Sequence, residues 1–205
     1  MRRLLLLSVL LLFGLSAGLA QADQTKIVTH SIPHPERVHC FVPDEQGYRN
    51  PATQTVTTVA ADSDIDVFIY LLDYEEAVGA GFELVWPADW IYYGWSADCL
   101  GHQITITDFL GSSIHIGTAF DMVTGGSLAL LGYASFTSGA AGELSLEPTR
   151  ICFPESICYV DGDTVSHPID QGMTGRIAVR GDGYNPAAAL PVAASTWGKI
   201  KSHYR

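Results

Sequence analysis

Positive charge is scarce in this chain: 11 lysines and arginines stand against 22 aspartates and glutamates in 205 residues, a formal net charge of −11. Phosphate-backbone binding needs clustered lysine and arginine, so nucleic acid is excluded as a partner. Charge of either sign is thin, at 16% of residues, while 47% are hydrophobic. A chain with that much apolar surface to bury offsets its ordering entropy, which excludes disorder as its overall state. Helical periodicity is missing too, since no long stretch repeats apolar residues at three- and four-residue spacing. Walker-type, H-E-x-x-H and EF-hand patterns are absent. The G-x-S-x-G match, Gly14-Leu15-Ser16-Ala17-Gly18, falls inside an apolar leader, so a nucleophile elbow is excluded. Acidic pairs occur, Asp64 with Asp66, Glu75 with Glu76 and Asp89 with Asp98. A retaining glycosidase needs two carboxyls about 5 Å apart, and no spacing selects such a pair. The expectation is a protein that is not an enzyme, with an extracellular glycan hydrolase as the weaker alternative.

Long apolar runs are absent after the first 22 residues. Arg2 and Arg3 precede the run 4–15, and Ala20-Gln21-Ala22 supplies a small-residue cleavage pattern. Residues 1–22 therefore read as a secretory signal peptide. As an anchor the run is short of the roughly 20 apolar residues a bilayer needs. The expected product has no transmembrane segment once the signal is removed, and is periplasmic, cell-surface or extracellular. Cysteine is sparse: Cys40, Cys99, Cys152 and Cys158. In an oxidising compartment disulfides are the default, and four cysteines allow three pairings. Cys152 and Cys158 would close a local loop, leaving Cys40 to reach Cys99. The paired spacing of a zinc site is lacking, although His30, His34, His39 and Cys40 crowd one segment.

Residues 23–50 are polar and broken by Pro33, Pro35 and Pro43, and read as an extended arm with one strand through 37–42. The organised part follows. Residues 54–60 and 65–72 are rich in the β-branched and aromatic side chains that suit a pleated surface, with Asp62-Ser63-Asp64 as the turn between them. Further strands are expected over 80–86, 91–97, 103–108, 114–120, 127–137, 143–146, 152–160 and 175–179. Turn signals separate them, among them Gly111-Ser112, Thr124-Gly125-Gly126 and Asp161-Gly162-Asp163. Short strands with turns roughly every 8 to 12 residues predict an all-β, antiparallel sandwich over 51–183. Residues 184–195 are a proline- and alanine-rich linker. Residues 196–205 carry three basic residues and no acid, and a helix there would align Trp197, Ile200 and Tyr204 on one face. That segment is expected either to dock on the acidic sandwich or to act as a sorting signal.

Two further features carry ligand chemistry. The aromatic cluster Trp86, Trp90, Tyr92, Tyr93 and Trp95 would form a glycan platform if the rings stood on a sheet surface. In a regular strand over 91–97, Ile91, Tyr93 and Trp95 would share the core face and Tyr92 would point outward. Trp90, Tyr92, Tyr93 and Trp95 are the candidate ligand-binding residues. The oxygen-rich turn containing Asp62, Asp64 and Asp66 is the candidate for a structural calcium site, because secreted proteins use such turns to stabilise loops. No other cofactor is expected.

The run Val67-Phe68-Ile69-Tyr70-Leu71-Leu72, followed by Gly81-Phe82-Glu83-Leu84 and Trp86-Pro87-Ala88-Asp89-Trp90, resembles the opening of cohesin-type β-sandwiches. The general architecture is shared with carbohydrate-binding modules. Over roughly residues 60–205 the chain is also similar to a group of uncharacterised secreted bacterial proteins, which carry the Trp-Pro-Ala-Asp-Trp run and end in Trp-Gly-x-Ile-Lys-x-x-Tyr-Arg. Where that group has a cysteine before Val123-Thr124-Gly125-Gly126, this chain has Met122. The resemblance implies an immunoglobulin- or cohesin-like sandwich with Phe82 in its core. It also implies a non-catalytic binding or structural role in the envelope or extracellular space, with a protein partner ahead of a glycan.

Overall fold

The computed structural model describes residues 25–34, 56–97, 104–124 and 128–187. Within them lie strands β1 (Lys26–Pro33), β2 (Thr58–Val59), β3 (Asp64–Leu72), β4 (Glu76–Val85), β5 (Ile91–Ser96), β6 (Ile104–Phe109), β7 (Ser113–Thr124), β8 (Ala129–Thr137), β9 (Gly142–Glu147), β10 (Ile157–Val160), β11 (Ser166–Ile169) and β12 (Ile177–Val179). The helix among the described residues is one 3-10 turn, Gln171–Met173. Four strands form one sheet in the order β1-β3-β8-β5, and every pair in it is antiparallel. The second sheet has eight strands. Its hub is β4, which pairs with β7 along one edge and with β10 and β9 along the other.

Alternation of side chains explains how the two sheets close on each other. Ile65, Val67, Ile69 and Leu71 of β3, with Leu131, Ala134 and Phe136 of β8, meet Phe82 and Leu84 of β4, Ile114 and Ile116 of β7, and Leu144 and Leu146 of β9. Burying each such side chain contributes about 1.5–3 kcal/mol, so this interface dominates the fold. Phe82 lies in that core, fully buried. The all-β antiparallel sandwich read from the strand pattern is the architecture observed, with one short parallel pair, β12 with β2, at the edge of the eight-stranded sheet.

Three placements differ from the sequence reading. Residues 26–33, expected in an arm outside the sandwich, are strand β1. It pairs with β3 over its whole length, from Lys26 opposite Leu72 to Pro33 opposite Ile65. Proline suggested an arm, but Pro33 ends the strand at a sheet edge, where a missing N–H costs no ladder bond. The strand expected at 37–42 lies outside the described residues. Residues 152–160 are strand only from Ile157, because the preceding stretch forms a disulfide-closed loop.

The third difference is in β5. Its register against β8 shifts between Tyr92 and Gly94, so that Tyr92 faces Phe136 and Trp95 faces Ala134, both core residues. One extra residue in the strand reverses the alternation beyond it. Tyr92 and Trp95 therefore turn inward together, while Ile91 and Tyr93 are exposed. Gly132 on β8 makes room for this arrangement. It has φ +145°, and a Cβ there would lie 2.3 Å from Trp95 Cζ2 and 2.7 Å from the Ser96 carbonyl.

The β10–β11 turn is secured by one carboxylate. Asp161 accepts from the Val165 N–H at 2.8 Å and from His167 Nε2 at 2.7 Å, and His167 stacks on Tyr159 with ring centroids 4.8 Å apart. The His167 hydrogen bond, then the Val165 N–H, hold the Asp161 carboxyl below its ordinary value of 3.8. A carboxyl depressed in the folded state stabilises the fold above its ordinary pKa and loses that contribution as pH falls through the folded value.

Gly132→Ala is expected to lower the unfolding free energy by about 3 kcal/mol, from overpacking against Trp95 added to backbone strain; urea denaturation reads this directly. Asp161→Asn is expected to destabilise the protein at pH 7 and to differ progressively less from wild type as pH falls below 3.8. A difference that persists undiminished under acid would show that the Asp161 charge is not what secures the turn.

Candidate binding surface

The four aromatic residues proposed from sequence do not stand in a row. Trp90 is buried and its indole N–H donates to the Ala141 carbonyl at 3.3 Å. Tyr92 stacks on Trp86 at 4.8 Å, and burial pushes its phenol up to about 12. Trp95 packs edge-on against Phe82 at 5.9 Å. Tyr93 stands outward, 64% exposed, with its hydroxyl 2.8 Å from Thr137 Oγ1. The bulge in β5 thus divides the cluster into three inward rings and one outward ring.

The aspartates are also divided. Asp62 occupies a turn with φ +51°. Asp64 accepts from the Thr137 hydroxyl. Asp66 is fully buried on the same strand face and accepts from the Ser135 hydroxyl, with His34 Nδ1 3.3 Å from its other oxygen. Among the described residues no group of three or more His, Cys, Asp or Glu side chains is placed to hold a metal ion. Of the cysteines, Cys152 and Cys158 are bonded to each other. Cys40 and Cys99 lie outside the described residues, as do Trp197, Ile200 and Tyr204.

The outer side of the four-stranded sheet has two parts. Near the top of β1 is a cavity of about 450 Å³ lined by His34, Asp64, Tyr93, Tyr133 and Ser135 among others. It brings a serine and a histidine near one carboxylate, but Ser135 donates to Asp66 and not to His34. Further down, Val28, Ile32, Phe68, Tyr70, Leu72, Leu130 and Tyr133 form a second apolar cluster, and Leu128 and Ala187 pack against it. That cluster is buried.

The outer side of the eight-stranded sheet is different. Gly81 on β4 and Gly117 on β7 face each other in register, and both point away from the core. With no side chains there, the loop after β9 lies directly on the sheet. A Cβ on Gly81 would come within 2.7 Å of Cys152 Sγ, and one on Gly117 within 2.9 Å of Ile151 Cγ2. The loop is closed by the Cys152–Cys158 disulfide, by the Thr149 N–H donating to the Ser156 carbonyl at 2.9 Å, and by His115 Nδ1 at 3.0 Å from Thr149 Oγ1. Beside it runs an apolar groove of about 340 Å³ whose walls include Ile106, Ile151, Phe153 and Val160. Phe153 sits at the loop tip with 91% of its surface exposed.

Sequence reasoning misses this groove, because the pattern places Phe153 inside a strand over 152–160, leaves Ile151 outside any element, and marks Ile106 as an ordinary strand residue. Two signals were available: two cysteines six residues apart around Phe153-Pro154-Glu155-Ser156, and glycines at Gly79, Gly81 and Gly117 within strand patterns. Glycine inside a strand commonly marks a close approach of other chain.

No family model matches this chain. No curated protein matches it either. Among solved structures it is similar to cohesin modules. A non-cellulosomal cohesin from Archaeoglobus fulgidus is 13% identical, with 77% of this chain and 90% of that one aligned and a TM-score of 0.49. The cohesin module of a family 33 glycoside hydrolase from Clostridium perfringens is 11% identical over 74% of this chain and 96% of that one, with a TM-score of 0.46. A type I cohesin in a cohesin–dockerin complex from Clostridium thermocellum is 7% identical over 77% and 98%, with a TM-score of 0.47.

Proposed function

We propose that this protein is a non-catalytic binding module whose partner is another protein, engaged through the groove on the eight-stranded sheet. The observation that carries the reading is Phe153, a large apolar side chain at 91% exposure, held at the tip of a disulfide-closed loop above a glycine floor. A lone exposed apolar residue means little, but Phe153 stands with Ile106 and Ile151, both exposed and both lining the same groove. Contiguous apolar surface of this kind marks interaction sites in soluble proteins. A rigidly mounted aromatic also loses little entropy on binding, which suits it to be an interface anchor.

A protein partner is favoured over a glycan because three of the four candidate sugar-stacking rings turn inward. The apolar leader and the disulfide support a setting in the envelope or outside the cell. Among the described residues no helix is long and apolar enough to cross a membrane.

Immobilised protein is expected to retain a defined partner from envelope extract of its own source, identified by mass spectrometry and then measured with the purified partner. Phe153→Ser should weaken that affinity about tenfold or more, near 1.4 kcal/mol, with Phe153→Leu retaining most of it and thermal unfolding unchanged in both. Equal affinity in the serine variant would move the interface elsewhere. Saturable binding in a polysaccharide screen, lost in Tyr93→Ala, would replace a protein partner by a glycan.

A further inference from the structure

Most sheet edges in this protein are blunted. β1 is bordered at one end by Val56, whose carbonyl accepts from the Ser31 N–H, and at the other by Gly175, whose N–H donates to the Ile27 carbonyl. β2 is two residues long. β5 carries the bulge at Tyr92 and Gly94, and β11 contains Pro168. Short length, bulges, proline and covering chain are the usual means by which proteins stop edge strands from pairing with other molecules.

Among the described residues β6 has none of these. It reads Ile-Thr-Ile-Thr-Asp-Phe, with no lysine or proline, and pairs with β7 in unbroken register. Among the described residues β7 is its one strand neighbour. Ile106 is 63% exposed on one face and Phe109 is 54% exposed on the other. Its single charge, Asp108, is engaged by Arg150.

The hairpin fixes where the unused backbone groups of β6 point. Leu110 and Ser113 exchange both hydrogen bonds, at 2.9 and 3.2 Å. Antiparallel pairs alternate between bonded and non-bonded. Asp108 with His115 and Ile106 with Gly117 are therefore bonded pairs, while Phe109 with Ile114, Thr107 with Ile116 and Thr105 with Thr118 are not. The N–H and C=O groups of Thr105, Thr107 and Phe109 face away from β7.

We propose that two copies of this chain pair through β6, antiparallel about a twofold axis at Thr107, joining their eight-stranded sheets into one. In that register Thr107 lies opposite Thr107 and Thr105 opposite Phe109. Because these residues are two apart, every one falls in a bonded pair, and each outward N–H meets an outward carbonyl of the other copy. The twofold match makes a second copy the occupant of this edge, since the same short strand supplies both halves of an isologous interface. Charge agrees: the chain as a whole is acidic, but this strip is locally neutral through the Asp108–Arg150 pair. The pairing rests on the outward backbone groups of β6 and not on Phe153, although Ile106 of β6 also lines the Phe153 groove.

Sedimentation velocity of the purified chain is expected to show a concentration-dependent dimer. Thr107→Pro should abolish it, and because the Thr107 N–H makes no bond to β7 the hairpin keeps its ladder. Thr107→Lys, which needs no backbone adjustment, should raise the dimer dissociation constant about tenfold or more, and Phe153→Ser should leave it unchanged. Hydrogen exchange should show the amides of Thr105, Thr107 and Phe109 protected as concentration rises. A chain that stays monomeric up to near-millimolar concentration overturns the proposal, as does a dimer that survives both Thr107 substitutions.

Discussion

The burial of β3 on both faces is the constraint on which the rest of the structure depends. Its nine residues, Asp-Ile-Asp-Val-Phe-Ile-Tyr-Leu-Leu, are buried at every position but the first. One face supplies Ile65, Val67, Ile69 and Leu71 to the core between the sheets, and the other supplies Phe68, Tyr70 and Leu72 to the second cluster. A strand of this kind belongs in the middle of a sheet, and a one-residue slip would turn the buried Asp66 carboxylate into the core between the sheets. Its register is set by that carboxylate, which accepts from Ser135 on β8, together with the pairing to β1 and β8. This explains why residues 26–33 belong to the sandwich, since without β1 the long apolar strand would become an edge.

Glycines set the functional topography of the two sheets in opposite ways. At Gly132 the missing side chain lets Trp95 lie against β8 and, with the β5 bulge, draws an aromatic cluster into the core. At Gly81 and Gly117 it lets a disulfide-closed loop settle on the outside of the other sheet, lifting Phe153 into solvent. The surface with the most aromatic sequence is thus inward, and the surface floored by residues without side chains carries the exposed anchor. Close packing on a glycine floor also positions the anchor, because contact with Ile151 and Cys152 restricts how the loop can shift.

Polar groups follow the same logic of placement. Asp66, Ser135 and His34 come together because two adjacent strands and a strand end converge at one corner, and the hydrogen-bond direction there is structural. Asp161, His167 and Tyr159 perform a similar task at the β10–β11 turn. Each group ties together parts of the chain that are distant in sequence or on opposite sides of a turn.

By itself the sequence determined the class of fold and much of its detail. Alternating β-branched and aromatic runs separated by Asp, Gly and Ser turns locate strands β3 to β9 to within a few residues, because period-two burial and turn chemistry are local properties, while the core position of Phe82 is implied by the resemblance to cohesin-type sandwiches. Only tertiary structure decided the faces and edges. One extra residue in β5 inverts which rings are inward, and although Gly94 within the strand is compatible with a bulge, the pattern at Ile91-Tyr92-Tyr93-Gly94-Trp95 does not say on which side of it the alternation reverses. Whether a proline-flanked segment is an arm or a strand depends on the partner strand that receives its hydrogen bonds. Phe153 and Ile106 are surface residues because no facing sheet reaches them, and β6 is an open edge because nothing among the described residues pairs beyond it. Each of these is set by what lies across space, which is information a chain carries only when folded.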